Sequence, residues 1–573
     1  DIARGATSRS SRLIHGGLRY LEYRDTDLVR ESLLERERLL QLAPQFVTPL
    51  RLTIPVTRYF GGLWAGFVRF SGLARTRFGR TLLKYGRGPR GLLAIRVGLL
   101  MYDRLAGPSV LPPHQVRATH DSRFDTSTSP DTSNTDTSNT DTSNTDVDDA
   151  SPRLSRQLFR WQCSYSDAQI AYPERFVLAL LEDGRRAAEQ TGTRFEVLPY
   201  HRVITAEHSS TFSIEPLQEG SLSRQHSTAA TRSIQPSVVI NATGAWGDRT
   251  LETLGLRERQ LFAGTKGSHL FTTHQPLVDA LNGSGIYAEA QDGRLVFILP
   301  CADGVLIGTT DDPYLDDPGD AISTQADVDY LLKMVANVFP DAGLTAEHVA
   351  MHHAGVRPLP KCDSRSASAI PRGHSIEETT LNGIPILTLV GGKLTTCRSL
   401  AEQVCSIVCR TIDRPRRQDT ADRMLPGTLP SRPELPLETS HQQLASEYGL
   451  SMKQVDATWK LVGNRFDEIF SSRGNNSQPT EVNMDRPESI AGTFIPRAFV
   501  NWSIAREWCT KLEDLVERRL MLIFQPAIRR ETLRQLALEL VHAGQLAEAQ
   551  VENEIDRASQ RLITFYGKST IPD

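Results

Sequence analysis

The chain has 573 residues, 39% hydrophobic and 23% charged, a balance that suits two or three globular domains with a sizeable core. A net charge of -3 excludes an overall basic, nucleic-acid-binding protein, and no apolar run is long enough for a transmembrane helix. Seven cysteines without framework spacing read as reduced, intracellular thiols rather than a disulfide scaffold.

The chain opens on Asp-Ile-Ala-Arg-Gly, which is neither a signal nor a transit peptide. A Ser-, Arg- and Gly-rich stretch follows, TSRSSRLIHGGLRY, from Thr7 to Tyr20. Leu28, Leu33, Leu34, Leu39 and Leu40 among charged residues predict a helix over 27–42, ended by Pro44. Residues 51–105 are basic and apolar together, with Tyr59, Phe60, Trp64, Phe67 and Phe70 interleaved among arginines. This segment reads as an element that docks on anionic lipid, with a solvated basic face and nucleic-acid binding as the alternatives. Residues 121–152 carry DTSNT three times in tandem and are too polar to repay their ordering entropy, so a disordered insertion is expected. A second polar stretch, 209–236, reads as a long hairpin loop.

Short apolar runs at 238–240, 295–299, 305–307 and 386–390 predict strands covered on both faces. Helical patterns at 175–190 and 396–412 alternate with them, which is an α/β arrangement. Residues 495–565 are helical and charged and predict a separate C-terminal domain.

Several motifs carry chemistry. Thr7, Ser8, Ser10 and Ser11 offer hydroxyls to phosphates or a ribityl chain, Gly16 and Gly17 allow backbone to approach a flat ring, and Arg19 offers a planar fork for a phosphate. In VVINATGAWGD, small residues Ala242, Thr243 and Gly244 leave room at a strand's carboxyl end for a dinucleotide. TKGSHL places His269 on a candidate strand, and HHAGVRPL places Arg357 on a rigid turn before a proline. His352 and His353, being adjacent, point in different directions, and no metal site is expected. In ILTLVGGKLTTCRS a strand runs through Gly392 and Lys393 to a helix capped by Thr395 or Thr396, whose N-terminus favours negative charge. Cys397, Cys405 and Cys409 read as core residues of that helix.

Together these motifs resemble the FAD-dependent glycerol-3-phosphate dehydrogenases, a branch of the D-amino-acid-oxidase-like flavoproteins. The similar stretches are LIHGGLRY, NATG-x-W (with Ala245 for the family's proline), KGSH, IGTTD, GVRPL and GGKLTT, where Cys397 stands for the usual tyrosine. Asp514, Arg518 and Arg519 resemble the family's C-terminal cap, against the alternative of a solvated helix pair. The resemblance implies an FAD-binding Rossmann-like domain over 1–50, 153–255 and 350–415. It adds an α+β substrate domain over 51–120 and 256–349, and a helical domain over 430–573. It also implies a strand and a G-x-G-x-x-G turn ahead of Asp1, so the chain is expected to begin about 35 residues into the family pattern, after its first βαβ unit.

The resemblance assigns FAD to Thr7, Ser8, Ser10, Ser11, Leu13, His15, Gly16, Gly17, Ala242, Thr243, Gly244, Trp246, Gly392, Lys393, Leu394 and Thr395. It assigns the substrate to Arg19, Tyr20, Arg357 and Lys393, and catalysis to His15, His269, Arg357 and Lys393, either histidine being the base. The implied reaction oxidises sn-glycerol 3-phosphate to dihydroxyacetone phosphate by hydride transfer to FAD, with a quinone as electron acceptor. The implied setting is peripheral, on the cytoplasmic face of the cell membrane or on the mitochondrial inner membrane, with a homodimer left open. The alternatives are a glycerol-3-phosphate oxidase using oxygen and a relative without cofactor.

Overall fold

The computed structural model describes residues 1–61, 90–119, 151–205, 210–217, 231–256, 260–290, 293–361, 372–428, 437–471 and 488–572. The DTSNT tract and much of the basic segment, including Trp64, Phe67 and Phe70, lie outside the described residues.

The helix expected over 27–42 spans Thr26–Leu42 and buries Leu28, Val29, Leu33, Leu39 and Leu40, the residues its 3.6 period places on one face. A second helix, Pro173–Thr191, starts on proline, whose fixed φ suits a first turn, and ends at Gly192 in the left-handed region. A third, Cys397–Thr411, follows the GGKLTT turn. Its buried face centres on Val404, so Cys397 packs inward while Cys405 is exposed and Cys409 half-buried; the helical period separates the three thiols that were expected in the core.

A ten-stranded, mostly antiparallel sheet runs Leu13–Ile14, Trp161–Ile170, Val47–Val56, Gly285–Glu289, Leu295–Cys301, Gly304–Gly308, Thr265–Thr272 and Asp312–Pro313. Met351–Arg357 and Gln115–Ala118 pair off this path. Leu295–Cys301 and Gly304–Gly308 are joined through Ala302 and Asp303 in a two-residue turn, Ala302 having φ 50°. The sheet takes strands from both the expected FAD-binding and substrate ranges, so those ranges do not coincide with its membership.

Parallel pairing of the Rossmann kind survives between Val239–Asn241 and Ile384–Gly391. His374–Leu381 completes this small sheet through a tight turn at Asn382 (φ 49°) and Gly383 (φ 82°). Ile240 is 46% exposed, so this strand is not covered on both faces as expected. The stretch expected as a hairpin loop carries strands at its ends, Phe212–Pro216 and Arg232–Ile234, which pair with each other while His201–Thr205 flanks the first.

The C-terminal helices, among them Arg497–Arg506, Arg530–His542 and Val551–Tyr566, pack on the large sheet through Phe271, Leu306 and Met351. Asp514, Arg518 and Arg519 are fully buried here rather than solvated: Arg518 pairs with Asp514 at 2.9 Å, and Arg519 with the Asp1 carboxylate at 2.8 Å. Arg175 grips Glu507 with two bonds of 2.5 and 2.7 Å, tying the helix Pro173–Thr191 to this domain.

Candidate active site

Arg357 closes its strand directly opposite Thr265, and its guanidinium lies over the backbone of Gly267. A Cβ on Gly267 would stand 2.3 Å from Arg357 Nη2, so the glycine makes the close approach possible. Nη2 donates to Thr309 Oγ1 at 2.9 Å and to the Thr310 carbonyl at 3.2 Å, while Nη1 donates to Asp311 Oδ1 at 3.1 Å. Arg372 donates to the other oxygen of Asp311 at 3.0 Å. Burial alone would raise the Asp311 carboxyl, but Arg357 and Arg372 outweigh it and hold the group below the usual carboxylate range.

Tyr20 is the meeting point of this cluster. The Lys393 ammonium sits 4.7 Å from the centre of its ring, and Arg372, Arg19 and Arg357 all act on its hydroxyl electrostatically. Lys393 donates to Ser32 Oγ at 2.5 Å, and burial lowers its pKa to about 8. A concentration of fixed cations around one phenol is a site for a multiply charged anion.

Two histidines flank it. His15 lies ring to ring with Tyr20 at 6.4 Å, and its backbone N–H donates to Thr395 Oγ1 at 3.2 Å. Desolvation, helped by Lys393, lowers its pKa to about 4. His269 is buried, bonded through Nε2 to Ser11 Oγ at 2.9 Å, and stacked 5.1 Å from His353, its direct neighbour on the adjacent strand. Burial, with Arg357 and Arg12 adding to it, lowers its pKa to about 3. Both imidazoles are therefore neutral near pH 7.

A dinucleotide cradle adjoins the cluster. The turns Ala242–Thr243–Gly244 and Gly391–Gly392 leave the carboxyl ends of two adjacent parallel strands. Gly244 (φ 61°), Gly391 (φ 76°) and Gly392 (φ 91°) all take left-handed backbone. A Cβ on Gly244 would meet nothing within 4 Å, so space is open where a cofactor would pass. Leu394 and Thr395 form the short turn that leads into the helix Cys397–Thr411. The Gly16 N–H is held by Tyr102 at 3.0 Å and Asp167 at 3.1 Å, which fixes the His15–Gly17 backbone beside Thr395. The open turn at Gly244 and the left-handed turns at Gly391 and Gly392 fit a dinucleotide such as FAD, whereas the missing Cβ of Gly16 faces Tyr102 and Leu33 and that of Gly17 faces the Tyr20 ring, so those two glycines make room for this chain's own side chains.

The structure brings together Tyr20, Arg357, Lys393 and His15, with Leu13, Gly16, Gly17 and Thr395 beside them. Arg19 lines a separate cavity with Tyr287 and Glu22 while it still acts electrostatically on Tyr20. Ser8 and Ser10 bond the backbone of their own turn, and Ser11 bonds His269. Trp246 donates to Asp317 Oδ1 at 3.1 Å. Sequence reasoning missed Arg372, Asp311, Tyr102, Asp167 and His353. Asp311 stood in the quoted IGTTD match and His353 in the quoted HHAGVRPL, where it was weighed only as a metal ligand, while Arg372 and Asp167 carried no motif.

The fold and the cradle define an FAD-dependent oxidoreductase, and the sequence pattern of the FAD dependent oxidoreductase (DAO) family matches residues 143–396. Glycerol-3-phosphate dehydrogenase of Synechocystis sp. is 31% identical over 492 residues, covering 82% of this chain and 75% of that protein. D-erythritol 1-phosphate dehydrogenase of Brucella abortus is 27% identical, covering 91% of this chain and 87% of its own length. Glycerol-3-phosphate dehydrogenase of Pseudomonas aeruginosa is 28% identical over 91% of this chain and 85% of its own length. The chain belongs to the FAD-dependent glycerol-3-phosphate dehydrogenase family. Its fold is shared with the FAD-complexed glycerol-3-phosphate dehydrogenase of Bacillus halodurans, at a TM-score of 0.62 and 18% identity, over 98% of this chain and 88% of that one.

Proposed function

We propose that this protein oxidises the secondary hydroxyl of sn-glycerol 3-phosphate to the ketone of dihydroxyacetone phosphate and passes the electrons to a quinone. The observation that carries the reading is the cluster of Arg357, Arg372 and Lys393 around Tyr20, with Asp311 among them. Carboxylates including Asp311 beside the arginines and Glu31, Asp167 and Asp25 near Lys393 offset part of this charge, and the two guanidiniums and the ammonium together offer the converging donors a phosphate dianion needs.

In this reading Arg357 and Arg372 grip the phosphate, Lys393 neutralises it from the Tyr20 side, and the Tyr20 hydroxyl fixes its orientation. His15 takes the proton of the secondary hydroxyl. Its ring borders Tyr20 and Lys393, and no hydrogen bond within the described residues occupies its nitrogens, whereas His269 is tied to Ser11. The bound dianion offsets the Lys393 charge and so raises the basicity of His15. FAD, when bound, supplies the hydride acceptor. Arg19 adds positive potential to Tyr20 from the far side.

Exposed Tyr59, Phe60, Val97 and Leu100 beside Arg58, Arg96 and Arg104 support peripheral docking on an anionic membrane. Among the described residues no helix is long and apolar enough to cross a membrane. A longer polyol phosphate is the second reading, favoured by the match to D-erythritol 1-phosphate dehydrogenase.

The test is anaerobic bleaching of the flavin band near about 450 nm by glycerol 3-phosphate and by erythritol phosphate in parallel. Faster bleaching by glycerol 3-phosphate is expected, and no bleaching by either would overturn the reading. Hydrogen peroxide formed in air at the rate of substrate oxidation would assign oxygen instead of quinone.

A further inference from the structure

Asp167 lies on the strand Trp161–Ile170 of the large sheet and is 1% exposed. The short strand Leu13–Ile14 pairs antiparallel with it, Leu13 opposite Gln169 and Ile14 opposite Ala168. One step further, that register sets His15 against Asp167. There a single carboxylate oxygen, Oδ1, accepts from the Gly16 N–H at 3.1 Å, the Tyr102 hydroxyl at 2.7 Å and Arg36 Nη1 at 2.8 Å. We infer that Asp167 is a positioning residue for the oxidation proposed above: it anchors the turn that carries His15 and supplies the fixed negative charge behind His15 and Lys393. The inference rests on that reading and adds a group buried behind the reacting residues.

The anchoring is two-sided. The His15 N–H donates to Thr395 Oγ1 at 3.2 Å, and the next N–H, that of Gly16, is shared between Asp167 and the Tyr102 hydroxyl at 3.0 Å. Both peptide planes that flank the imidazole are thus fixed by side chains from outside the turn, which narrows the positions open to the ring. The strand ends at Ile14 and Gly17 takes left-handed backbone at φ 81°, so side-chain acceptors hold the segment between them where a ladder otherwise would. The fit is close, since a Cβ on Gly16 would stand 2.4 Å from the Tyr102 hydroxyl and 2.5 Å from Leu33 Cδ2. Buried Arg36 and the edge-on pair Tyr102–Tyr165, at 5.7 Å, hold the carboxylate in its turn.

The charge has a second effect. Burial disfavours the protonated form of His15, Lys393 and Arg36 add to that, and Asp167 opposes them. Tyr20 and Phe297 supply the ring contacts of the imidazole. Burial likewise disfavours the Lys393 ammonium, which Glu31, Asp167 and Asp25 favour. Asp167 is the carboxylate that acts on both groups. It makes His15 more basic, and keeps Lys393 charged to higher pH, than burial alone would allow. The reaction needs both, because the base must gain a proton while the cation beside it stays charged.

Asp167→Asn separates the two roles, because the amide oxygen can still accept from Gly16, Tyr102 and Arg36 while the charge is gone. Loss of the charge lowers the proton affinity of both His15 and Lys393. Flavin reduction by glycerol 3-phosphate is therefore expected to slow by about tenfold, with KM changed by less than about threefold. The basic limb of kcat/KM should move to lower pH by about 0.5 or more. Asp167→Ala removes the anchor as well. Hydrogen exchange read by mass spectrometry on the holoenzyme should then show the Gly16 amide exchanging about tenfold or more faster, with the increase confined to residues 13–18. In Asp167→Asn that exchange should stay within about threefold of the parent, and this variant, which keeps volume and bonds, guards against a folding defect in the alanine one. An unchanged rate with an unmoved limb in Asp167→Asn overturns the role of the charge. Parent-like exchange at Gly16 in Asp167→Ala, or an increase that extends equally over the helix Cys397–Thr411, overturns the anchoring. Faster exchange at Gly16 in Asp167→Ala, in an enzyme whose flavin no polyol phosphate bleaches, would instead sink the substrate assignment and leave the anchoring standing.

Discussion

Arg357 and Arg372 are held on the two oxygens of a single carboxylate, that of Asp311, at 3.1 and 3.0 Å. The pair is brought together from the end of a sheet strand and from the segment leading into His374–Leu381. Asp311 sets their separation and limits their mutual repulsion before any ligand arrives, which is electrostatic preorganisation.

Removing Arg357 should therefore cost more than one salt bridge. Arg357→Ala is expected to lower kcat/KM for glycerol 3-phosphate by about 100- to 1,000-fold, the scale of a buried charge losing its partner. Arg372→Ala should cost less, because Arg357 keeps its bonds to Thr309 and Thr310. Steady-state kinetics on both variants checks this, and an unchanged kcat/KM in Arg357→Ala would sink the phosphate assignment.

The lowered pKa of Lys393 predicts a basic limb. The ammonium is charged below about 8 and neutral above it, so kcat/KM should fall as pH rises through about 8. Lys393→Arg, which cannot deprotonate in this range, should remove that limb even if the rate itself drops. A limb that persists in Lys393→Arg would assign the titration to another group.

Gly267 allows a test that leaves every charge in place. In Gly267→Ala the new methyl would occupy the space of the Arg357 guanidinium, which stands 2.3 Å from the ideal Cβ. The displaced Arg357 is buried and bonded, and Thr309 Oγ1 stands 2.5 Å from the same Cβ, so a stability loss of about 1–3 kcal/mol is expected beside the kinetic effect. KM for glycerol 3-phosphate should rise by about tenfold or more. Urea unfolding beside kinetics separates the two effects, and an unaltered KM would show that the Arg357 position is not critical.

His15 and His269 make opposite predictions. His15→Gln should lower kcat by about 100- to 10,000-fold, the range for loss of a general base, with the flavin still bound. His269→Gln, whose amide can still bond Ser11, should retain most of the activity. Single-turnover bleaching measures this directly, and the reverse order would make His269 the base.

The Arg175–Glu507 pair predicts an effect on stability alone. Arg175→Met leaves Glu507 buried without its partner and should cost about 3–5 kcal/mol in urea unfolding, and adding Glu507→Leu should recover much of it. Burial would raise the Glu507 carboxyl, but Arg175 outweighs it and holds the group below its ordinary value. Because the folded-state pKa is depressed, the pair's contribution is present above the unfolded value of about 4.3 and is lost as pH falls below it. A pH-independent difference between parent and double variant across that range would contradict the assignment.

Much of the local structure was legible in the sequence because it depends on short-range patterns. The helices Thr26–Leu42, Pro173–Thr191 and Cys397–Thr411 follow from their apolar spacing, and the strands Leu295–Cys301, Gly304–Gly308 and Ile384–Gly391 from apolar runs. The strands Trp161–Ile170 and Val47–Val56 were not legible: serine, aspartate and glutamine, or proline, threonine and arginine, interrupt their apolar pattern, and pairing with each other along ten positions makes them strands. The tight turn at Asn382-Gly383 was a readable hairpin signal, and it would have found His374–Leu381.

The sequence by itself determined the family, the identity of the glycine turns, and the presence of His15, Tyr20, Arg357 and Lys393, since each sits in a contiguous motif. Only the tertiary structure decided that Arg372 and Asp311 join Arg357, that His353 stacks on His269, and that Arg19 faces a different cavity from Tyr20. The physical reason is that these relationships cross between strands and loops far apart in the chain. Their geometry is set by strand register and by burial, and neither leaves a local pattern to read.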